Sequence, residues 1–251
     1  MTRLLVIQPD ADDPPGPLGD WLAGAGAEID LVAPPADQVP ANLEGYAGLV
    51  VLGGGMGAQD DFDHPWLADV RRLLAEAVTR QLPTLAICLG GQLLAVATGG
   101  GVVVGEDGPE VGPHIVAKRD LGWTDPLFAD VPLMPDVLQF HSDMIDRLPP
   151  NAVLLASGTR YPNQAFRLGR CAYGLQFHIE TTTDVVLEWA RECPEEAEFA
   201  RPGELTAERL DRFHADMAET WRPVATRFVR LAAGDLEPAG PARPQLPLLG
   251  H

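Results

Sequence analysis

Nearly continuous apolar runs alternate with helix-patterned segments over the first hundred residues, and this alternation limits the fold more than any other feature of the chain. Arg3-Leu4-Leu5-Val6-Ile7, Ile29 to Val32, Gly48-Leu49-Val50-Val51-Leu52 and Pro83 to Ile87 read as strands buried on both faces, as in a parallel sheet. Between them, Leu18 to Ala27 predicts a short helix ending near Gly26. Trp66 to Arg80 predicts an amphipathic helix, with Pro65 at its start and Asp63 or His64 near its cap. Cys88 follows the fourth run, and a helix is expected over Gln92 to Ala97. Strand and helix in turn argue for an α/β sheet with right-handed crossovers.

The second half reads differently. Val102 to Val104, Ile115 to Ala117, Val137 to Phe140, Val153 to Ala156, Gln164 to Arg167 and Ala172 to Phe177 are short strands separated by turns. Such meanders close the same sheet or add an antiparallel edge. Helical patterning returns from Thr183, and Leu205 to Leu231 reads as one long helix interrupted near Pro223. A chain of 251 residues suits one large domain with a small appendage. The expected division is a main unit over 1–195, a helical extension packed on it over 196–237, and a Pro-rich tail over 238–251.

Charge narrows the partners. Thirty-six acidic residues against 18 Lys and Arg give a formal charge of −18, a field that repels a phosphate backbone, so nucleic acid is not an expected partner. No apolar run reaches the roughly 18–20 residues that span a bilayer. Leu4 to Ile7 is too short for a signal peptide, so the expected location is the cytoplasm, away from membranes. Cys88, Cys171 and Cys193 are odd in number and lack zinc-like spacing, which fits a reducing compartment and one working thiol.

The segment Leu85-Ala86-Ile87-Cys88-Leu89-Gly90-Gly91-Gln92 has the form of a nucleophile elbow. A sharp strand-to-helix turn needs small residues two before and two after the nucleophile, and Ala86 and Gly90 supply them. Such a turn also aims a helix N-terminus at the sulfur and favours the thiolate, of which an unperturbed thiol holds only about 3% at neutral pH. A buried structural cysteine in a βα turn would read the same way. In Gly174-Leu175-Gln176-Phe177-His178-Ile179-Glu180, residues two apart on a strand share a side, so His178 and Glu180 can form a base and its orienter. A histidine at a strand end followed by a helix-starting Glu is the plainer alternative. Gly53-Gly54-Gly55 lets backbone N–H groups approach a developing oxyanion. Read with Met56-Gly57-Ala58, it also satisfies a loose dinucleotide fingerprint. That fingerprint belongs in the first βα turn and opens a helix directly, whereas here an acidic loop follows the third strand. No phosphate-binding G-x-x-x-x-G-K-[ST] occurs.

Together these segments resemble the class I glutamine amidotransferases over about residues 3 to 190, and the stand-alone, GMP-synthase-like members in particular. Cys88-Leu89-Gly90-Gly91-Gln92 fits the family's C-x-G-x-Q, His178-Ile179-Glu180 its H-P-E, and Gly53-Gly54-Gly55 its G-G-P loop. Phe140-His141-Ser142-Asp143 is similar to its H-G-D turn, and Asn163-Gln164-Ala165-Phe166 to its N-Q-A-F strand. The departures are Gly55 and Ile179 for Pro, and Ser142 for Gly. The resemblance implies a doubly wound, flavodoxin-like α/β fold with the site at the carboxyl ends of the strands.

The resemblance further implies Cys88 as nucleophile, His178 as general base and acid, and Glu180 as its orienter. Gly54 and Leu89 would supply the oxyanion hole, and Gln92, Gly55, Ser142 and Asp143 would hold glutamine. It implies glutamine as substrate, a small pocket closed over the amide nitrogen, and no metal or organic cofactor. The chain shows no ATP-binding synthase half, so ammonia would pass to a separate synthase subunit or there is no acceptor; the oligomeric state is not implied. A γ-glutamyl peptidase or hydrolase on the same scaffold is the nearest alternative. A non-catalytic glutamine-binding regulatory subunit is a third, and it would have no need of Cys88. Cys171, Cys193, His114, His214 and His251 have no partner spacing and read as structural, as does the helical stripe Leu210, Phe213, Met217, Trp221. His141 is expected to shape the pocket rather than react.

Overall fold

The computed structural model describes residues 1–240, so most of the expected Pro-rich tail lies outside the described residues. In the first half, β1 (Thr2–Ile7), α1 (Gly16–Gly24), β2 (Ala27–Val32), β3 (Gly48–Val51), α2 (Leu67–Arg80), β4 (Thr84–Ile87) and α3 (Leu89–Ala97) follow the predicted alternation. Then come β5 (Gly101–Val104), β6 (Glu110–Ile115), β7 (Ala117–Lys118), β8 (Asp136–His141), β9 (Asp143–Arg147), β10 (Val153–Ser157), β11 (Ala165–Leu168) and β12 (Ala172–Leu175). The C-terminal helices are α4 (Thr183–Glu192), α5 (Pro194–Ala197) and α6 (Ala207–Ala233).

Eight strands form one sheet in the order β2-β1-β3-β4-β12-β11-β10-β7. The first five run parallel, and β11, β10 and β7 continue antiparallel. This is the doubly wound, flavodoxin-like α/β fold. The strand β1 shows why its run is continuously apolar: Leu4 and Val6 join a core with α1 and α6, while Leu5 and Ile7 join another with α2 and α3. Side chains alternate between the faces, and both faces are covered. No helix among the described residues is long and apolar enough to cross a membrane.

Three sequence expectations shift. The second-half strands do not all join one sheet: β5 pairs with β9 and β6 with β8 in separate two-stranded ladders. The strand expected at Ile115 to Ala117 is the junction of β6 and β7, and β9 had no predicted counterpart. The long helix runs unbroken through Pro223. A mid-helix proline removes one hydrogen bond and costs roughly 3 kcal/mol. Phe213, Met217, Trp221, Val224 and Phe228 bury a continuous apolar stripe, and Trp221 Nε1 donates to the Asp136 carbonyl at 2.8 Å, which offsets that loss.

Candidate active site

The carboxyl end of β4 runs straight into Cys88, whose backbone sits at φ 48° and ψ −108°. A non-glycine residue there is strained and persists only where its surroundings over-determine it. The Cys88 N–H donates to the Leu175 carbonyl at 2.8 Å, which ties the turn to the end of β12. The helix α3 starts at Leu89, three residues earlier than expected, with Cys88 at its N-cap. Gly90 and Gly91 read as helix breakers in isolation. In place they meet β3 and β12: a Cβ on Gly90 would overlap the Val51 carbonyl, and one on Gly91 the Leu175 carbonyl. The elbow therefore requires its glycines for close approach.

His178 lies beyond the end of β12, so the strand expected to align it with Glu180 stops short of it. Its backbone is bridged to β8, donating to the Leu138 carbonyl at 2.8 Å and accepting from Leu138 at 3.3 Å. Its Nδ1 lies 2.6 Å from Glu180 Oε1, and both side chains are buried. The Glu180 Oε2 accepts from the Ile179 N–H at 2.7 Å, so the Ile179 backbone steadies the carboxylate while its side chain joins the core. The far ring nitrogen, Nε2, is buried without a hydrogen-bond partner among the described residues. Burial disfavours the imidazolium, yet the Glu180 charge and the neighbouring Cys88 outweigh it and hold the His178 pKa well above its ordinary value.

A cavity of about 430 Å³ opens onto these residues, with Cys88, His178, Gln92, Gly54 and Gly55 in its wall. The Gly54 and Leu89 N–H groups have no hydrogen-bond partner among the described residues, whereas Gly55 N–H is taken by Asp10 at 3.1 Å. Gln92 is buried and donates from Nε2 to the Asp143 carbonyl at 3.1 Å, so it also anchors the β8–β9 turn. Ser142, where the resembling family has Gly, donates from Oγ to Glu196 at 2.7 Å and tethers α5 to that turn. The cavity is larger than the small closed pocket expected for ammonia release, and Trp189, Glu192, Cys193 and Glu196 of the C-terminal helices form one wall.

Two cysteines behave differently from Cys88. Cys171 is buried beside the Gln81 carbonyl, and burial pushes its thiol up to about 11. Cys193 is exposed, yet it lines the cavity, which its sequence position gave no reason to expect. His114 and His214 sit in local hydrogen-bond networks, against the Val111 carbonyl and against Thr181 and Thr183. His141 is buried at the cavity edge, with Nδ1 2.9 Å from the Asp143 carbonyl and Nε2 3.3 Å from Glu110. Asp13 was missed entirely. It lies in the Pro/Gly/Asp-rich stretch after β1, and its carboxylate sits with His178 and Glu180 so that one ligand atom from each falls within 4.8 Å of the others.

The family model for glutamine amidotransferase class-I matches residues 21–185. GMP synthase [glutamine-hydrolyzing] from Christiangramia forsetii is 31% identical over 148 residues, 58% of this chain and 27% of that protein. Gamma-glutamyl peptidase 4 from Arabidopsis thaliana is 28% identical over 149 residues, 59% of each chain. The chain thus spans about a quarter of that synthase and less than two thirds of the peptidase. The crystal structure of a glutamine amidotransferase from Thermotoga maritima superposes with a TM-score of 0.80 at 30% identity, covering 91% of this chain and 98% of that one. The chain belongs to the class I glutamine amidotransferases.

Proposed function

We propose that the protein hydrolyses the side-chain amide of glutamine through Cys88, His178 and Glu180. The observation that carries this reading is the buried His178–Glu180 pair at 2.6 Å whose free Nε2 shares the cavity with a cysteine held on a strained elbow. The Cys88 thiolate attacks the amide carbon of glutamine. Charge develops on the carbonyl oxygen, where the unpaired N–H groups of Gly54 and Leu89 stabilise it. His178, as imidazolium, gives its proton to the departing nitrogen, so ammonia leaves and a γ-glutamyl thioester remains on Cys88. Neutral His178 then takes a proton from water as it attacks the thioester, and glutamate and the free thiol are released. Glu180 fixes the ring by accepting from Nδ1. Gln92, Gly55, Ser142 and Asp143 line the glutamine end, and no cofactor takes part.

Ammonia then passes to a separate synthase subunit. Residues 1–195 form the reacting unit in this reading, and 196–237 an extension that supplies part of the cavity wall. The three free cysteines suit a reducing cytoplasm. The test is release of ammonia and glutamate in equal amounts from glutamine by the purified chain. No release from glutamine or from any γ-glutamyl amide would overturn the reading.

One observation favours a second reading, cleavage of a larger γ-glutamyl amide. A cavity of about 430 Å³ lies within the roughly 300–1,000 Å³ typical of sites for drug-sized ligands, more room than the glutamine side chain needs. A panel of glutamine, asparagine and bulky γ-glutamyl amides at equal concentration separates the two. Glutamine leads under the first reading, with asparagine about 10–200-fold slower for the lost methylene. A bulky γ-glutamyl amide leads under the second.

A further inference from the structure

The loop between β1 and α1 is held in place from three directions. Gln8 Nε2 donates to the carbonyls of Asp10 and Ala11, the Asp13 N–H donates to the Asp10 carbonyl at 3.2 Å, and Trp189 Nε1 of α4 donates to the Asp12 carbonyl at 2.9 Å. These anchors drive the Asp13 side chain inward, where it is 3% exposed and neither oxygen has a hydrogen-bond partner of good geometry among the described residues. Gly53 makes room for it. A Cβ there would overlap Asp13 Oδ2 and come within 3.0 Å of His178 Cε1, so the first glycine of the triplet admits a carboxyl group rather than binding a ligand.

A buried acid without a partner calls for a reason. Oxygens of Asp13 and Glu180 lie within 4.8 Å of each other and of a His178 ring nitrogen, and all three residues are buried. Two carboxylates that close and that buried do not both ionise. Glu180 has the claim to the charge, because it holds the His178 ring at 2.6 Å and accepts from the Ile179 N–H, while Asp13 has neither contact.

We propose that Asp13 is a positioning residue for the reaction, an uncharged carboxyl group that sets its proton toward Glu180 and so limits how tightly Glu180 holds the imidazolium of His178. This rests on the reading of His178 as proton carrier. The charged and titratable groups that face Asp13 are Glu180, His178 and Asp10, with Cys88 on the far side of the ring. Burial and the Glu180 charge together hold the Asp13 pKa well above the ordinary carboxylate value. The consequence is functional. An imidazolium gripped by a bare Glu180 would give up its proton reluctantly to the leaving nitrogen, and a proton set against Glu180 weakens that grip.

Two variants separate this role from mere space-filling. Asp13→Asn keeps the shape and a donor toward Glu180 but cannot ionise. Asp13→Leu keeps the branching and excludes water but donates nothing. The readout is the pH profile of Cys88 alkylation by iodoacetamide, followed at the Cys88 peptide by mass spectrometry. It reports the thiolate–imidazolium pair without any substrate. The Asn variant should keep the wild-type midpoint within about 0.3 pH units and kcat within about threefold. In the Leu variant the imidazolium is held more tightly, so the midpoint should fall by about half a unit or more. Its kcat on glutamine should drop about tenfold, with KM little changed.

A midpoint that rises in both variants would show that Asp13 works as a charged carboxylate, and the proposal would be wrong. A midpoint that moves in neither would make Asp13 a spacer, which also overturns it. Should the Leu variant fail to fold, Asp13→Val, which likewise donates nothing, is expected to lower the midpoint as Leu should, and an unmoved or raised midpoint there counts against the proposal. Because alkylation needs no glutamine, a wild-type chain that alkylates as expected but hydrolyses nothing would refute the glutaminase reading and leave this one standing.

Discussion

Two buried histidines each lie against a glutamate in this protein, and they differ in what is left for the second ring nitrogen. His178 meets Glu180 at 2.6 Å through Nδ1, and its Nε2 is free and turned to the cavity that holds Cys88. His141 lies 3.3 Å from Glu110 through Nε2, and its Nδ1 already faces the Asp143 carbonyl at 2.9 Å. Glu110 in turn accepts from Gln164 at 2.8 Å, and Gln164 accepts from Gln139, so both His141 nitrogens face protein acceptors, although the Nε2 approach to Glu110 falls short of a well-formed hydrogen bond. A histidine that shuttles a proton needs one nitrogen held and the other free. One whose two nitrogens both face protein acceptors sits between β6 and β8 and has no nitrogen turned to the thiol. The pairing of His with Glu is thus common to both, and what separates them is that the second nitrogen of His178 faces Cys88, whereas that of His141 faces another acceptor.

Substitutions should break the two pairs in opposite ways. The largest effect belongs to Cys88→Ala, which should lower glutamine hydrolysis by about 10⁴-fold or more while circular dichroism stays native, since the side chain is small and its removal leaves little cavity. His178→Ala should follow at about 10³-fold or more, and Glu180→Gln at about 10–100-fold, because it orients the base rather than moving the proton. His141→Ala should cost less than about tenfold in kcat. A His141 effect equal to that of His178 would erase the distinction, and kcat for the four variants measured side by side decides it.

The structural pair should show itself in stability instead. Glu110→Ala leaves Gln164 and His141 without their buried acceptor and should lower stability by about 2–4 kcal/mol in urea unfolding, with turnover per folded molecule little changed. Burial alone would raise the Glu110 carboxyl, but the hydrogen bonds from His141 and Gln164 prevail and hold it below its ordinary value. A carboxyl lowered on folding adds stability above its unfolded value, about 4.3, and that increment is lost as pH falls through the lowered folded value. Glu110→Gln lacks this increment, so its Tm deficit against wild type should be full near pH 6 and shrink toward pH 3.

The smallest expected effect is at Ser142. Replacing it with Gly removes the 2.7 Å bond to Glu196 and should change kcat/KM for glutamine by about two- to fivefold, while loosening discrimination among bulky γ-glutamyl amides. A measured specificity unaltered across the substrate panel would show that α5 takes no part in shaping the cavity.

How much of this the sequence carried depends on the range of the forces involved. The parallel half was legible because each strand is apolar on both faces, and the elbow because a sharp turn at Cys88 demands small residues at fixed offsets, which Ala86 and Gly90 supply. The helix through Pro223 was misjudged because proline chemistry is local, whereas the burial of Trp221 and Phe228 depends on β8 and the sheet. His178 and Glu180 were found as a pair, though the strand expected to align them stops at Leu175 and a bridge to Leu138 does the aligning. Nothing local in the sequence placed Asp13 or Cys193 at the site. Their place at the site follows from a loop pinned by Trp189 and a helix tethered by Ser142, contacts spanning 177 and 54 residues. The only mark Asp13 left was indirect, in the glycine at position 53 that admits it.

The central claim is that Cys88 is the group that reacts, and the cavity offers a direct competitor in Cys193. A glutamine-like chloroketone should label one cysteine per chain, with loss of turnover in step with labelling, and glutamine should protect. Peptide mapping should place the label on Cys88 and spare Cys171 and Cys193, and the His178→Ala chain should label far more slowly. A label found chiefly on Cys193, with Cys88 untouched and turnover lost, would contradict the account.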